Sequence, residues 1–337
     1  MSRLYGEIVM KYRVFGKTKW KVSEVGLGAW AIGGAGWGDV SEKDAMEVLQ
    51  RAVERGVNFF DTADVYGDGR SERLIGQFLK KSNKKVYVAT KFGRRLNPHV
   101  SSGYTRENLE GFLDRSLKNL GVDTIDLIQL HCPPTDLYYK PEVFEILDSF
   151  VGEGKIQHYG VSVEKVEEGL KAIEYPGVAS VMIIFNIFRQ RPMELFFDEC
   201  RKRNVAVIAR VPLASGLLTG KMSPKTEFPE NDHRNFNREG KAFDIGETFS
   251  GVNFETGIRA VEELKRIKPD NISLVQLALK WILMHSEVSC VIPGAKNAKQ
   301  VEENNSVSEL ADLSPDTMKG IKAVYEEFIK SSVHQRW

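Results

Sequence analysis

Cysteine is scarce in this chain. Cys132, Cys200 and Cys290 stand far apart and form no Cys-x-x-Cys pair. That fits a reduced, cytoplasmic setting, and no metal site is marked. An excess of charge is missing too: 47 basic residues face 46 acidic ones, a net charge of +1. Such a balance favours neither nucleic acid nor an anionic membrane surface as a partner. Long apolar runs are absent. The longest, 178–188, is broken by Ser180 and Asn186, far short of the ~20 residues needed to span a bilayer. Residues 1–11 lack the apolar core of a signal peptide. A soluble protein is expected. The glycine spacing of a dinucleotide turn is also lacking. The loop Gly33-Gly34-Ala35-Gly36-Trp37-Gly38 does not read G-x-G-x-x-G, which weakens the case for an open doubly wound sheet.

What is present describes an ordinary globular enzyme. The 337 residues are 42% apolar and 28% charged, which excludes disordered and fibrous classes. Length alone suggests roughly two domains, but one α/β barrel of about 250 residues with insertions uses the same length.

Strand and helix patterns alternate along the chain. A hairpin over 14–20 comes first, around Gly16-Lys17-Thr18. Strands are predicted over 22–30, 57–62, 86–92, 125–131, 156–161, 178–185, 205–211 and 288–292. Helices are predicted over 42–55, 71–81, 105–120, 141–151, 165–173 and 192–203, then from 273 and from 298. Ser41 with Asp44, and Ser273 with Gln276, have the spacing of N-terminal caps. Ser314-Pro315 opens a further helix over about 315–331. Eight strand–helix units in strict alternation predict a closed (β/α)8 barrel, one domain over 1–337 with its core at about 10–305. From Gly220 to about Asn253 the chain is rich in Gly, Pro, Asn and charge. It leaves the seventh predicted strand, so it is read as a lid over the barrel mouth.

Four polar residues sit at the ends of three successive predicted strands. Asp61 follows Val57-Asn58-Phe59-Phe60, and Tyr66 lies five residues on. Lys91 follows Val86-Tyr87-Val88-Ala89-Thr90. His131 follows Leu127-Ile128-Gln129-Leu130. In a parallel barrel these ends converge on one mouth, where barrel enzymes keep their chemistry. An acid, a phenol, an amine and an imidazole grouped there can protonate a carbonyl oxygen. A phenol has an ordinary pKa of about 10, so Tyr66 can act as a general acid at neutral pH. Taken singly, each has a bland reading as a cap, an ion pair or a packing group. Cys132, beside His131, is read as packing rather than as a nucleophile.

The segment Gly56-Val57-Asn58-Phe59-Phe60-Asp61-Thr62-Ala63-Asp64-Val65-Tyr66-Gly67 resembles the first signature of the aldo-keto reductases. Ser71-Glu72-Arg73-Leu74-Ile75-Gly76 continues it, Ala89-Thr90-Lys91-Phe92 matches the family lysine, and the run from Asp126 to His131 matches the family histidine. The resemblance runs from about residue 10 to 305. It implies an NAD(P)H-dependent carbonyl reductase with Tyr66 as acid, Lys91 as its cation, Asp61 as the partner of Lys91, and His131 orienting a small carbonyl substrate.

The resemblance also assigns cofactor positions. Gly28, Ala29 and Trp30 match a segment lining the pocket, and Ser162 a serine at the nicotinamide carboxamide. Pro212, Leu213, Gly216 and Lys221 lie in one cofactor segment, and Asp61 borders the same site. Gly294, Lys296, Gln300, Glu303 and Asn304 match the adenosine-side segment. Three positions depart from the pattern: Val163 stands for an asparagine, Met182 for a glutamine, and Arg210 for an aromatic that stacks on nicotinamide. Gln300 stands where many members hold the 2′-phosphate with arginine. Lys296 could substitute, and a helix N-terminus favours anions, so NADPH is expected over NADH. Two other classes stay open: a nicotinamide-binding regulatory or sensor subunit, and a Schiff-base lyase using Lys91. Substrate and oligomeric state are not legible.

Overall fold

The structure, a computed structural model, describes residues 9–34, 36–38 and 40–337. Most of the segment scanned for a signal peptide, and Ala35 of the glycine-rich loop, lie outside them. The chain opens with β1 (Tyr12–Val14) and β2 (Lys21–Ser23), paired antiparallel around a tight turn at 16–18. This hairpin plugs the amino end of the barrel. Phe15 is fully buried with its ring 5.2 Å from Phe59, and Trp20 stacks on Tyr87 at 4.4 Å. Burying one such phenylalanine contributes about 1.5–3 kcal/mol.

Eight parallel strands follow in chain order: β3 (Leu27–Gly28), β4 (Phe59–Asp61), β5 (Tyr87–Phe92), β6 (Ile125–His131), β7 (Ile156–Ser162), β8 (Val178–Ile184), β9 (Ala206–Arg210) and β10 (Val288–Val291). Bridges Val25–Val291 and Gly28–Gly294 join the first to the last. Gly28 permits this closure, because a Cβ there would lie 2.9 Å from the Ile292 carbonyl oxygen. The result is a closed (β/α)8 barrel. Alternate strand residues face opposite ways. Phe59, Leu127, Met182 and Ile208 fill the interior, while Phe60, Ile128, Ile183 and Val207 face the helices.

The helices are α1 (Glu42–Glu54), α2 (Arg70–Leu79), α3 (Arg106–Leu120), α4 (Pro141–Gly152), α5 (Val166–Ala172), α6 (Phe196–Lys202), α7 (His233–Phe236), α8 (Phe254–Ile267), α9 (Leu274–Leu283), α10 (Ala298–Asn305), α11 (Pro315–Val324) and α12 (Lys330–Val333). Their starts are chemically marked. Ser41 accepts from the Asp44 N–H, and Ser273 with Gln276 forms a reciprocal capping box at α9.

Four details differ from the sequence reading. The strand expected over 22–30 is two strands, since the chain leaves the hairpin after Ser23 and Gly26 N–H turns to the Val291 carbonyl. The helix expected over 192–203 begins only at Phe196, after a separate turn at Arg191–Met193. The helix expected over 315–331 changes pitch at Tyr325–Ile329. The region after the lid, unassigned by sequence, is α8, which buries Ile258, Val261 and Leu264. The lid itself is built into the fold: it carries α7, and His233, Asn237 and Ser250 are fully buried.

Candidate active site

The barrel brings Asp61, Lys91 and His131 together because β4, β5 and β6 are neighbours. Asp61 sits across from Ala89, and Lys91 across from Gln129. Tyr66 lies on the loop after β4. That loop is stitched to β5: Thr62 N–H donates to the Ala89 carbonyl at 2.8 Å, and Asp64 N–H to the Lys91 carbonyl at 3.1 Å. Lys91 Nζ is therefore shared among three oxygens: Asp61 Oδ1 at 2.6 Å, the Thr62 carbonyl at 2.8 Å and Tyr66 Oη at 3.5 Å. Gln129 Nε2 donates to the other Asp61 oxygen at 3.4 Å. Trp30 stacks on Tyr66 with centroids 5.8 Å apart, and His131 meets the same ring edge-on at 5.9 Å.

Burial sets the electrostatics. It opposes the Lys91 ammonium, but Asp61 and Tyr66 outweigh it and hold Lys91 above its ordinary value. Burial raises the Tyr66 phenol against the pull of Lys91, so it keeps its proton at neutral pH. Burial, reinforced by Arg94, Lys91 and Arg210, holds His131 well below its ordinary value, as a neutral imidazole. Its Nδ1 is buried with no protein partner among the described residues. A neutral ring of this kind has one N–H to donate.

A cavity of about 470 Å³ opens from these four residues. Gly28, Trp30, Ser162, Arg210, Pro212, Leu213, Gly216, Lys221, Gly294, Lys296, Gln300, Glu303 and Asn304 line it together with Asp61, Tyr66, Lys91 and His131. Ala29 is the exception. It follows Gly28 in an extended segment, so its side chain turns outward into the helix-packed core. Met182 lines the cavity from the barrel interior, whereas Val163 faces the helices. Cys132 is half-buried, and its surroundings, with the neighbouring Glu164, push its thiol up to about 12.

The cavity wall combines aromatic rings with cations. Arg234 and Lys296 lie over the Trp37 ring at 4.9 and 5.8 Å, and Lys221 lines the same cavity. The turn after β9, which also lines it, runs through left-handed conformations at Val211, Ser215 and Gly216. A polyanion that carries an aromatic ring suits such a wall. Sequence reasoning missed Arg234, His233, Phe228 and Glu247, all contributed by the lid.

A family model described as the aldo/keto reductase family matches residues 24–326. The chain belongs to the aldo/keto reductase family. The aldo-keto reductase yakc [NADP(+)] of Schizosaccharomyces pombe is 31% identical over 310 residues, 89% of this chain and 88% of that protein. A probable voltage-gated potassium channel subunit beta of Arabidopsis thaliana is 27% identical over 335 residues, 94% and 97% of the two chains. The holo form of aldo-keto reductase AKR11C1 from Bacillus halodurans superposes with a TM-score of 0.75 at 26% identity, covering 94% of this chain and 96% of that one. Among the described residues of this aldo/keto reductase, no helix is long and apolar enough to cross a membrane.

One buried carboxyl of this oxidoreductase makes a stability prediction. Asp64, behind Tyr66, is fully buried and neither oxygen has a partner among the described residues. Burial, with Glu72 nearby, pushes it up to about 7. An acid raised on folding costs stability once the pH exceeds its unfolded value, and the cost grows until the pH passes the folded value. Asp64→Asn is expected to gain on wild type by about 2–3 kcal/mol between pH 5 and pH 8, at ~1.36 kcal/mol per pH unit. Denaturant melts at both pH values check this, and a pH-independent difference would show that Asp64 ionises freely.

Proposed function

We propose that this protein reduces an aldehyde or ketone to an alcohol, with Tyr66 as the general acid and NADPH, rather than NADH, as the preferred cofactor. The observation that carries the reading is the Lys91 ammonium, 2.6 Å from Asp61 and 3.5 Å from the Tyr66 hydroxyl. A cation there favours the phenolate that remains after proton transfer. Asp61 holds the cation in place, and the neutral His131 has an N–H for the carbonyl oxygen. Reduced nicotinamide, when bound, supplies the hydride. All of the residues assigned to the cofactor except Ala29 line the cavity; in this reading Ser162, Met182 and Arg210 serve the reacting end, Pro212, Leu213 and Gly216 the middle, and Lys221, Lys296, Gln300, Glu303 and Asn304 the adenosine end. In this reading the chain works as a single barrel domain.

Imine chemistry fits less well, because it needs a neutral, reachable amine. Lys91 is 1% exposed and held above its ordinary value by Asp61 and Tyr66. The reading is tested with a panel of carbonyl compounds, followed by loss of reduced-nicotinamide absorbance with NADPH and with NADH. Tight cofactor binding without consumption on any carbonyl would replace it with a regulatory or sensor subunit.

Preference for NADPH rests on Lys296. Its Nζ bonds the Trp37 carbonyl, and Gln300 Oε1 accepts from the Lys296 N–H at 2.8 Å. Burial and the nearby Arg234 lower the Lys296 ammonium below its ordinary value, as expected where cations await an anion. Lys296→Met should weaken NADPH about 10-fold or more relative to NADH, given ~1.5–3 kcal/mol for a charge-assisted bond. Equal losses for both cofactors in binding titrations would remove Lys296 from 2′-phosphate recognition.

A further inference from the structure

The lid returns to the catalytic floor at Glu247. This residue is 5% exposed and lines the same cavity as Tyr66 and His131. Its carboxylate is engaged by Arg94, which follows β5, and lies 3.7 Å from Arg210 Nη1 at the end of β9. Arg210 Nη2 donates to Glu164 Oε2 at 2.9 Å, and Arg94 Nη2 to Glu164 Oε1 at 3.2 Å. Two guanidiniums and two carboxylates thus alternate around one ring of charges, with Arg210 and Glu247 buried and Arg94 and Glu164 partly so. Among the described residues, the Glu247 carboxylate is the lid's only member of that ring.

The position of Glu247 is imposed by the surrounding fold as well as by its ion pairs. Ser215 Oγ donates to the Glu247 carbonyl at 3.1 Å and accepts from the Phe249 N–H at 3.0 Å. Asn186 Nδ2 donates to Ser250 Oγ at 2.8 Å. Trp337 Nε1 donates to Asp244 Oδ1 at 2.9 Å, and the Arg189 guanidinium stacks on the same indole at 3.9 Å. The lid therefore delivers a carboxylate to a prepared place.

We propose that Glu247 is a positioning residue whose carboxylate, clamped between Arg94 and Arg210 at the wall of the cavity, tunes the Tyr66 proton donor. This rests on the reading of Tyr66 as the acid. The charged and titratable groups that act on Tyr66 come from several elements: Lys91 on β5, Asp61 on β4, Glu247 on the lid and Arg94 beyond β5, with the His131 ring of β6 edge-on and Arg210 of β9 beside Glu247. Glu164 stands behind Arg210, and His233 packs against Trp30 at 4.9 Å. His131 and His233 are both held below their ordinary values by burial. Three cations, Lys91, Arg94 and Arg210, therefore face Asp61 and the two glutamates. Burial raises Glu164, which shares the same two guanidiniums. Glu247, the carboxylate of the ring that lines the cavity with Tyr66, is held far below the usual range by Arg94 and Arg210 in spite of burial. Its negative charge opposes the phenolate, so it keeps Tyr66 protonated to higher pH.

The test is the pH dependence of carbonyl-dependent NADPH oxidation by the full chain. Activity falls as the pH rises through the Tyr66 value, and Tyr66→Phe removes that limb. In Glu247→Gln the limb is expected about one pH unit lower, and lower again in Glu164→Gln/Glu247→Gln, where Glu164 cannot ionise in compensation. Glu247→Asp, which keeps the charge, should return the limb toward wild type. NADPH release should quicken in Glu247→Gln. Faster release with an unmoved limb in both glutamine variants would reduce Glu247 to a lid anchor and overturn the proposal alone. A wild type without a Tyr66-dependent limb would remove the reductase reading, and this proposal with it.

Discussion

Tyr66→Phe is expected to lower turnover by about 10²–10⁴-fold, the usual contribution of a general acid, while leaving cofactor affinity and stability near wild type. The substitution removes one oxygen and keeps the ring. The stack on Trp30 at 5.8 Å and the edge contact with His131 at 5.9 Å need only the ring. Lys91 keeps Asp61 and the Thr62 carbonyl as partners. The loss should therefore appear in the chemical step, read as the single-turnover rate of NADPH oxidation, with cofactor titrations and melting curves unchanged. Among the described residues the other protonated groups are engaged or weakly acidic: the Lys91 ammonium is held by Asp61 and the Thr62 carbonyl, His131 is neutral, and the Cys132 thiol is pushed up to about 12. Turnover at the wild-type level in the variant would transfer the proton donor elsewhere and end the assignment.

Much of this arrangement was legible in the sequence, for identifiable reasons. The barrel strands are short apolar runs that end in Asp61, Lys91 and His131, and parallel neighbours must bring such ends together. The α9 start was readable because Ser273 and Gln276 form their bonds locally, within one turn. Ala29 was misplaced because a matched segment does not tell which way one side chain points, and strand alternation sends it outward. Helix α8 carried its own signal in Ile258, Val261 and Leu264, at helical spacing, but the irregular stretch before it masked its start. Glu247 could not have been found. Its role depends on where a lid of more than 25 residues returns to the barrel, and on Arg94 and Arg210 being there when it does.

The departures from the family pattern acquire physical content in the same way. Arg210 is held by Glu164 and the Val163 carbonyl, so its guanidinium has a fixed plane where it lines the cavity. A planar cation of this kind can stack on an aromatic ring as well as an aromatic side chain can. Val163, standing for an asparagine, faces the helices and contributes its backbone rather than its side chain. Met182 lines the cavity with a weak thioether acceptor where an amide would offer stronger bonds.

Lys91→Met is expected to act on stability, rate and pH dependence together. The lysine and Asp61 form a buried pair, with side chains 1% and 4% exposed. Removing one member of such a pair costs about 3–5 kcal/mol, because the other is left buried without its counter-charge. Burial already pushes Asp61 upward against the pull of Lys91. In the variant it should therefore bind a proton more readily, and the stability loss should shrink as the pH is lowered. The rate follows from the phenolate. A hydrogen bond from a charged donor is worth ~1.5–3 kcal/mol, so losing it at Tyr66 should slow reduction about 10- to 100-fold. The sign of the pH effect is set by the same charge. Without the ammonium the phenolate is less stable, Tyr66 holds its proton more tightly, and the alkaline limb of the rate profile moves to higher pH. This is opposite to the shift expected for Glu247→Gln, so the two variants bracket the wild type from either side. An unmoved limb in Lys91→Met, with cofactor affinity intact, would show that the lysine holds Asp61 in the barrel and has no part in the acid.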